Sequence, residues 1–431
     1  MVAVLGGLRA NRDLAVLVGG AGLAGLGAQV TLVGFTTGLA GSGPFAVAGL
    51  FVAAAFGAVL GAPLGGWAVE RVRNHLLLSV SVFAQVLLLV GLLFGHERLP
   101  VLYGLTALLG VAGGVVRTCA SALIPLTGGD DQDGQARLSS AQNTGAVAGI
   151  VLGGVIAVGP GVEVAVMFDA VTAFAHLALV VLALRVDRDP RRDDTAAGPG
   201  GQWSGWVLLR SDRLLLGRVV AQTVVGVAVA VALVNEVFLV LGPLGGNGFT
   251  YSAVLACWTA GLLLGARFGR RFATARALLT AFVAVNLVMA VSLAAPSLVP
   301  HVVVNALAWL VAGGCGAVQH ATLTGLVELR TSEAVRGRVL ATAGAVTACS
   351  GTVGILVAGA VVAAAGPLSA LTVASGLTLV AALLAGWSVL RRDHRRESVV
   401  AADLEPVAPE DDEPVRDRVV AGSGRWTPRG R

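Results

Sequence analysis

The chain is a succession of long apolar runs separated by short polar breaks. A helix that crosses the hydrocarbon core of a bilayer needs about 20 mostly apolar residues. Twelve such segments can be cut here: 14–40, 45–69, 76–95, 100–125, 139–159 and 162–184, then 214–241, 250–267, 277–295, 300–326, 339–365 and 368–390. Open sheet is excluded for runs this apolar, because its edges would leave backbone groups unpaired in lipid. Several connections are very short, such as Gly41-Ser42-Gly43-Pro44 and Gly366-Pro367-Leu368-Ser369, and force neighbouring helices to run antiparallel.

An internal repeat groups the segments by six. The fourth-to-fifth connection ends Ala136-Arg137-Leu138-Ser139, and the tenth-to-eleventh ends Gly337-Arg338-Val339-Leu340. Each leads into a Gly-rich span, with Gly149-Ile150-Val151-Leu152-Gly153 in one and Gly354-Ile355-Leu356-Val357 in the other. Parallel repeats about an axis along the membrane normal are a transporter architecture. The expectation is an all-α membrane protein of twelve transmembrane helices in two pseudo-symmetric six-helix bundles. The expected bounds are 1–184 for the first bundle, 185–213 for a cytoplasmic linker, 214–390 for the second bundle and 391–431 for a disordered tail.

Composition agrees. Of 431 residues, 56% are hydrophobic and 13% charged, with a mean hydropathy of +0.83. A soluble domain of this length needs about twice that share of charge to cover its surface. The 59 glycines suit membrane helices, where they let backbones approach closely.

Charge adds direction. All 30 basic residues are Arg, and nearly all lie in even-numbered connections or at the termini. Arg98 stands in an odd connection and Arg117 inside the fourth span. Positive residues favour the cytoplasmic side, so both termini are expected in the cytoplasm of a multi-pass inner-membrane protein. The same loops explain the net charge of +5 without a nucleic-acid partner. Cys119, Cys257, Cys315 and Cys349 stand far apart inside apolar runs and read as packing residues. No metal-ligand spacing, phosphate-binding Gly-Lys-Ser/Thr loop or nucleophile motif is present, so no cofactor, metal or enzyme activity is expected. Transport would then draw on an ion gradient.

Two motifs carry a resemblance. The second-to-third connection reads Gly66-Trp67-Ala68-Val69-Glu70-Arg71-Val72-Arg73. It resembles motif A of the major facilitator superfamily, with Glu70 in place of Asp. The fifth span reads Gly145-Ala146-Val147-Ala148-Gly149-Ile150-Val151-Leu152-Gly153-Gly154. It is similar to motif C of that family's drug/proton antiporters, with Ile150 in place of Pro. Phrases such as Arg330-Thr331-Ser332-Glu333 and Phe168-Asp169-Ala170 look like the enterobactin-exporter and macrolide-efflux-like branch. The resemblance covers about residues 9–390. It implies the two-bundle major facilitator fold, alternating access and, in that branch, export. It makes Gly66, Glu70 and Arg71 a conformational latch, and Gly145, Gly149, Gly153 and Gly154 a helix-packing stripe. The arginine of motif B has no match, and Thr106 is the nearest position.

Ionisable groups at membrane depth are costly and are functional candidates. A proton-coupling group must gain and lose a proton as access alternates. Asp169 and Glu236 are the candidates for that task. The structural alternatives are a helix hydrogen bond for Asp169 and snorkelling to the interface for Glu236. Arg117, His176, Gln29 and Asn305 are candidates for binding substrate or pairing charge. Simple packing is the alternative for His176, and bonding to loop carbonyls for Arg117. The function expected is secondary transport, driven by a proton gradient, in which a monomer exports a small amphipathic or hydrophobic compound. A nutrient importer of the same fold and a transport-inactive receptor or scaffold are the other readings.

Overall fold

A computed structural model describes residues 12–127, 131–159, 161–185, 203–267 and 274–403. The described residues are helical, with no strand. The first six spans are Arg12–Leu39, Pro44–Val69, Asn74–Gly95, Leu99–Leu123, Asp131–Val158 and Val162–Ala183. A short helix, Trp203–Ser211, lies in the expected linker. The seventh to tenth spans are Arg213–Leu241, Gly248–Ala266, Ala275–Leu298 and Val302–Arg330. The last helix, Glu333–Asp403, holds two spans, because Gly366 breaks it with φ 80° and ψ 172°. Counted by continuous helix among the described residues, eleven are long and apolar enough to cross a membrane, and the last of these runs for 53 residues. The break at Gly366 makes twelve.

The tight turns follow from sequence. Gly43 has φ 97° and Gly366 has φ 80°, a region closed to most side chains. Pro44 and Pro367 follow them at the first helical position, where proline's missing N–H costs nothing. Gly161, with φ 89°, makes the fifth-to-sixth turn. It stands where Gly366 stands in the second half.

Helices outrun their apolar segments. The fifth span begins at Asp131 instead of 139, with Arg137 and Asp133 paired at 2.7 Å one turn apart. Disorder is expected from residue 391, but the helix continues to Asp403. No Gly or Pro interrupts the sequence from there to Pro406, and charge alone does not end a helix. The linker stretch 186–202 and the acidic Glu410–Glu413 segment lie outside the described residues.

Glycines set the helix pairs in both halves. A Cβ at Gly145 or Gly149 would strike the first-span backbone at Gly22 or Leu26, and one at Gly153 would meet Val33 and Val30. Gly354 in the eleventh span lies in the same way against Val227 and Ala230 of the seventh. Gly57 and Gly61 of the second span lie against the fourth, as Gly261 and Gly265 of the eighth lie against the tenth. The repeat seen in sequence is thus a repeat of contacts.

The two halves meet at the end that carries the odd-numbered connections. Val33, Val47, Ala48 and Phe51 share one buried cluster with Val234, Val237, Val240 and Tyr251. Gly154 packs on Ser252, Gly248 on Ala157, and Gly359 on Ala48 and Phe45. At the other end the buried clusters stay separate. One draws only on residues 16–184 and the other only on 209–343.

Candidate functional site

A cavity of about 550 Å³ lies inside the first six spans. Its apolar wall includes Leu17, Leu32, Phe35, Leu50, Leu89 and Leu109. Its polar groups are Gln29, Thr31, Gln85, Thr106, Arg117, Gln142, Asn143, Asp169 and His176. Each of the six spans therefore contributes to it.

The first and sixth spans position the two titratable side chains. Asp169 and His176 are seven residues apart and share a helix face. The ring of His176 fills the space where a Cβ at Gly20 would sit. The Asp169 carboxylate and the Thr172 hydroxyl fill the corresponding space at Gly27. The Thr31 hydroxyl donates to Ala165 O at 3.4 Å and the Thr172 hydroxyl to the backbone carbonyl of Asp169 at 2.9 Å, both beside the Asp169 carboxylate. Both side chains are buried. Asp169 thus borders the cavity, with two threonine hydroxyls beside its carboxylate.

Arg117 is exposed to the cavity. It has no hydrogen bond or ion pair with any described residue. Among the described residues, the loop-carbonyl role considered for it is therefore absent. Thr106, at the place of the missing motif-B arginine, lines the wall.

Glu236 and Asn305 form a second cluster, apart from this cavity. Glu236 is fully buried and does not snorkel. Its carboxylate accepts from Asn305 Nδ2 at 2.5 Å and from Trp309 Nε1 at 2.7 Å, both on the tenth span. Tyr251 of the eighth span and Thr36 of the first are buried close by. Asn305 Oδ1 and both side-chain polar atoms of Asn235 are buried without a partner among the described residues. This cluster sits within the contact between the halves.

Sequence reasoning passed over Arg218. It is 1% exposed, and its guanidinium lies 3.5 Å from the centre of the Phe282 ring. It donates to Gln222 Oε1 at 3.0 Å, Gln319 O at 2.7 Å and Thr322 Oγ1 at 3.2 Å. Its place five residues after Arg213 groups it in sequence with the basic entry to the seventh span. Trp309 gave no signal, since an indole in an apolar run reads as packing.

Glu70 and Arg71 of motif A make local contacts among the described residues. Glu70 and Arg71 are exposed and lie 4.0 Å apart. Arg71 donates to Trp67 O at 3.1 Å and stacks on its ring at 4.6 Å. A Cβ at Gly66 would meet nothing within 4 Å, whereas Gly65 packs on Thr118 and Val115. Close approach at this corner is therefore the work of Gly65, and Gly66 is open. The motif-C glycines divide as well: Gly145, Gly149 and Gly153 hold the first span, while Gly154 reaches Ser252 of the eighth.

At the linker, Asp212 accepts from Leu214 N at 2.8 Å and Leu215 N at 3.3 Å, capping the seventh span. Arg330 Nε donates to its other oxygen at 2.7 Å. Burial raises the Asp212 pKa, but the Arg330 contact and the two backbone donors outweigh it and hold the carboxyl below its ordinary value.

The fold is shared with solved transporters. The nucleoside transporter NupG superposes with a TM-score of 0.70 at 11% identity, over 88% of this chain and 98% of that one. The POT family transporter PepTSo gives 0.69 at 12% identity, over 89% and 98%. A D-xylose-proton symporter gives 0.66 at 15% identity, over 86% and 96%. No curated protein sequence matches the chain. Residues 17–304 match the sequence pattern of the Major Facilitator Superfamily, and with twelve spans in two repeated bundles the chain belongs to that family of secondary membrane transporters.

Proposed function

We propose that the protein is a proton-coupled exporter of small amphipathic compounds, working by alternating access in the cytoplasmic membrane. The observation that carries this reading is the one-sided seal between the halves. The arginine-rich even-numbered connections assign the unsealed end to the cytoplasm. The arrangement is then inward-facing. The local, exposed Glu70–Arg71 corner agrees, since a latch that steadies the outward-facing state is released here.

Asp169 and Glu236 are the two buried carboxylic acids among the described residues. They are the groups assigned to proton coupling. Asp169 borders the cavity, and Glu236 lies inside the seal. Opening the odd-numbered end exposes Glu236, so its proton exchange is tied to the conformational change. The resemblance of short phrases to the enterobactin-exporter and macrolide-efflux-like branch is the ground for export, and the apolar wall favours an amphipathic substrate.

Inverted membrane vesicles test the reading. Accumulation of amphipathic drugs and chelators is measured with and without an imposed pH gradient. The expected result is accumulation of at least one compound that a protonophore collapses. Accumulation indifferent to the gradient across the panel would overturn it.

A further inference from the structure

The cavity of the first six spans is polar at two levels. The fourth and sixth spans both start at the odd-numbered end, at Leu99 and Val162. Arg117 is therefore about 16 Å further along the bundle than Asp169, at about 1.5 Å per residue. His176 and the fifth-span amides Gln142 and Asn143 lie near the Arg117 level. Asp169 and Thr106 lie near the odd-numbered end, and the Asp169 carboxylate is buried beside the Thr31 and Thr172 hydroxyls. The two charges do not pair.

We propose that this cavity binds an amphipathic organic anion, with Arg117 as the seat of its acid group. The inference rests on the reading of the cavity as the substrate site. A guanidinium presents a planar fork of donors suited to a carboxylate or phosphate. Here that fork faces the cavity with no described partner. Gln142 and Asn143 add amide donors to the same cavity, and Leu17, Leu32, Phe35 and Leu89 offer an apolar bed for the rest of the molecule.

Alternating access strengthens the argument. Closing the even-numbered end over an empty cavity would strand an unpaired cation away from water, which is strongly unfavourable. An anionic substrate supplies the missing counter-charge. Loaded closure is then favoured over empty closure, as an exporter requires. An inside-negative potential also helps to drive an anion outward.

The test is binding to the full-length protein in nanodiscs at pH 7.5, read by calorimetry. Three probes share one ring system: 1-naphthoate, 1-naphthalenemethanol and 1-naphthylmethylammonium. The proposal expects naphthoate to bind at least about tenfold more tightly than the other two, the worth of one charge-assisted contact. Arg117→Gln should lose that preference while naphthalenemethanol binds as before. Equal binding of all three, preference for the ammonium, or full naphthoate affinity in Arg117→Gln would overturn it. Preference for the alcohol or the ammonium would leave the cavity as the substrate site and refute only the anion. Binding of none would refute the cavity itself. The wild-type ranking decides the matter even if the variant fails to fold.

Discussion

The Asp169 carboxylate occupies the space that a side chain at Gly27 would need. The first span must therefore be bare at Gly27 for the sixth to place an acid at the cavity edge. The same relation holds for His176 and Gly20, seven residues along each helix. Gly27→Ala is expected to displace the Asp169 carboxylate and the Thr172 hydroxyl and to cost about 1–3 kcal/mol through overpacking. Gly66→Ala is the contrast. It meets open space, and alanine favours a helix over glycine by up to about 1 kcal/mol. Thermal unfolding of both variants in nanodiscs checks this: Gly27→Ala should melt well below the wild type, and Gly66→Ala at or above it.

Gly154 is the motif-C glycine that crosses between the halves, against Ser252. A large side chain there wedges the seal. Gly154→Leu should shift the balance toward the state open at the odd-numbered end by about 1–3 kcal/mol, or about 5–150-fold. Thr36→Cys in a cysteine-free background reports it, since Thr36 is fully buried beside Tyr251. Its reaction with an impermeant maleimide should speed up severalfold when Gly154→Leu is added. An unchanged rate would mean that this contact does not seal the end.

The Asp212 cap makes stability depend on pH with a definite sign. Its folded pKa lies below the ordinary carboxylate value. The contribution is present at neutral pH and is lost as pH falls through the folded pKa. Asp212→Ala should cost about 1–2 kcal/mol at neutral pH, chiefly through the lost cap. Arg330 is partly exposed, so the ion pair adds little. The gap between the melting temperatures of the two proteins should narrow as the pH falls below the ordinary carboxylate value, and a gap that widens on acidification would refute the assignment.

Much of the fold was legible because lipid imposes a simple demand, apolar length. Helix ends were not, because helices extend past the lipid boundary wherever the sequence does not stop them, as at Asp131 and Asp403. The site was legible in part. Arg117, Asp169, His176 and Gln29 stand out as polar groups in apolar runs, and the fold brings them to one cavity. Asn305 has the same signature but belongs with Glu236. Only packing across the seventh and tenth spans decides that. Gln85 carries the same signature and was passed over, while Trp309 carried none, since an indole in an apolar run reads as packing. Arg218 merges in sequence with the basic entry to the seventh span at Arg213, yet its side chain is sealed against Phe282.

The most direct test of proton-coupled exchange compares Glu236→Gln with the wild type in proteoliposomes, using a compound that the wild type accumulates. Gln keeps the volume of the side chain and can still accept from Trp309, so the fold should persist. The account predicts that accumulation driven by a pH gradient falls at least about tenfold, as expected for loss of an intramembrane proton carrier, while substrate exchange at equal pH survives. Gradient-driven accumulation at the wild-type level in Glu236→Gln would contradict the assignment of this carboxyl to coupling.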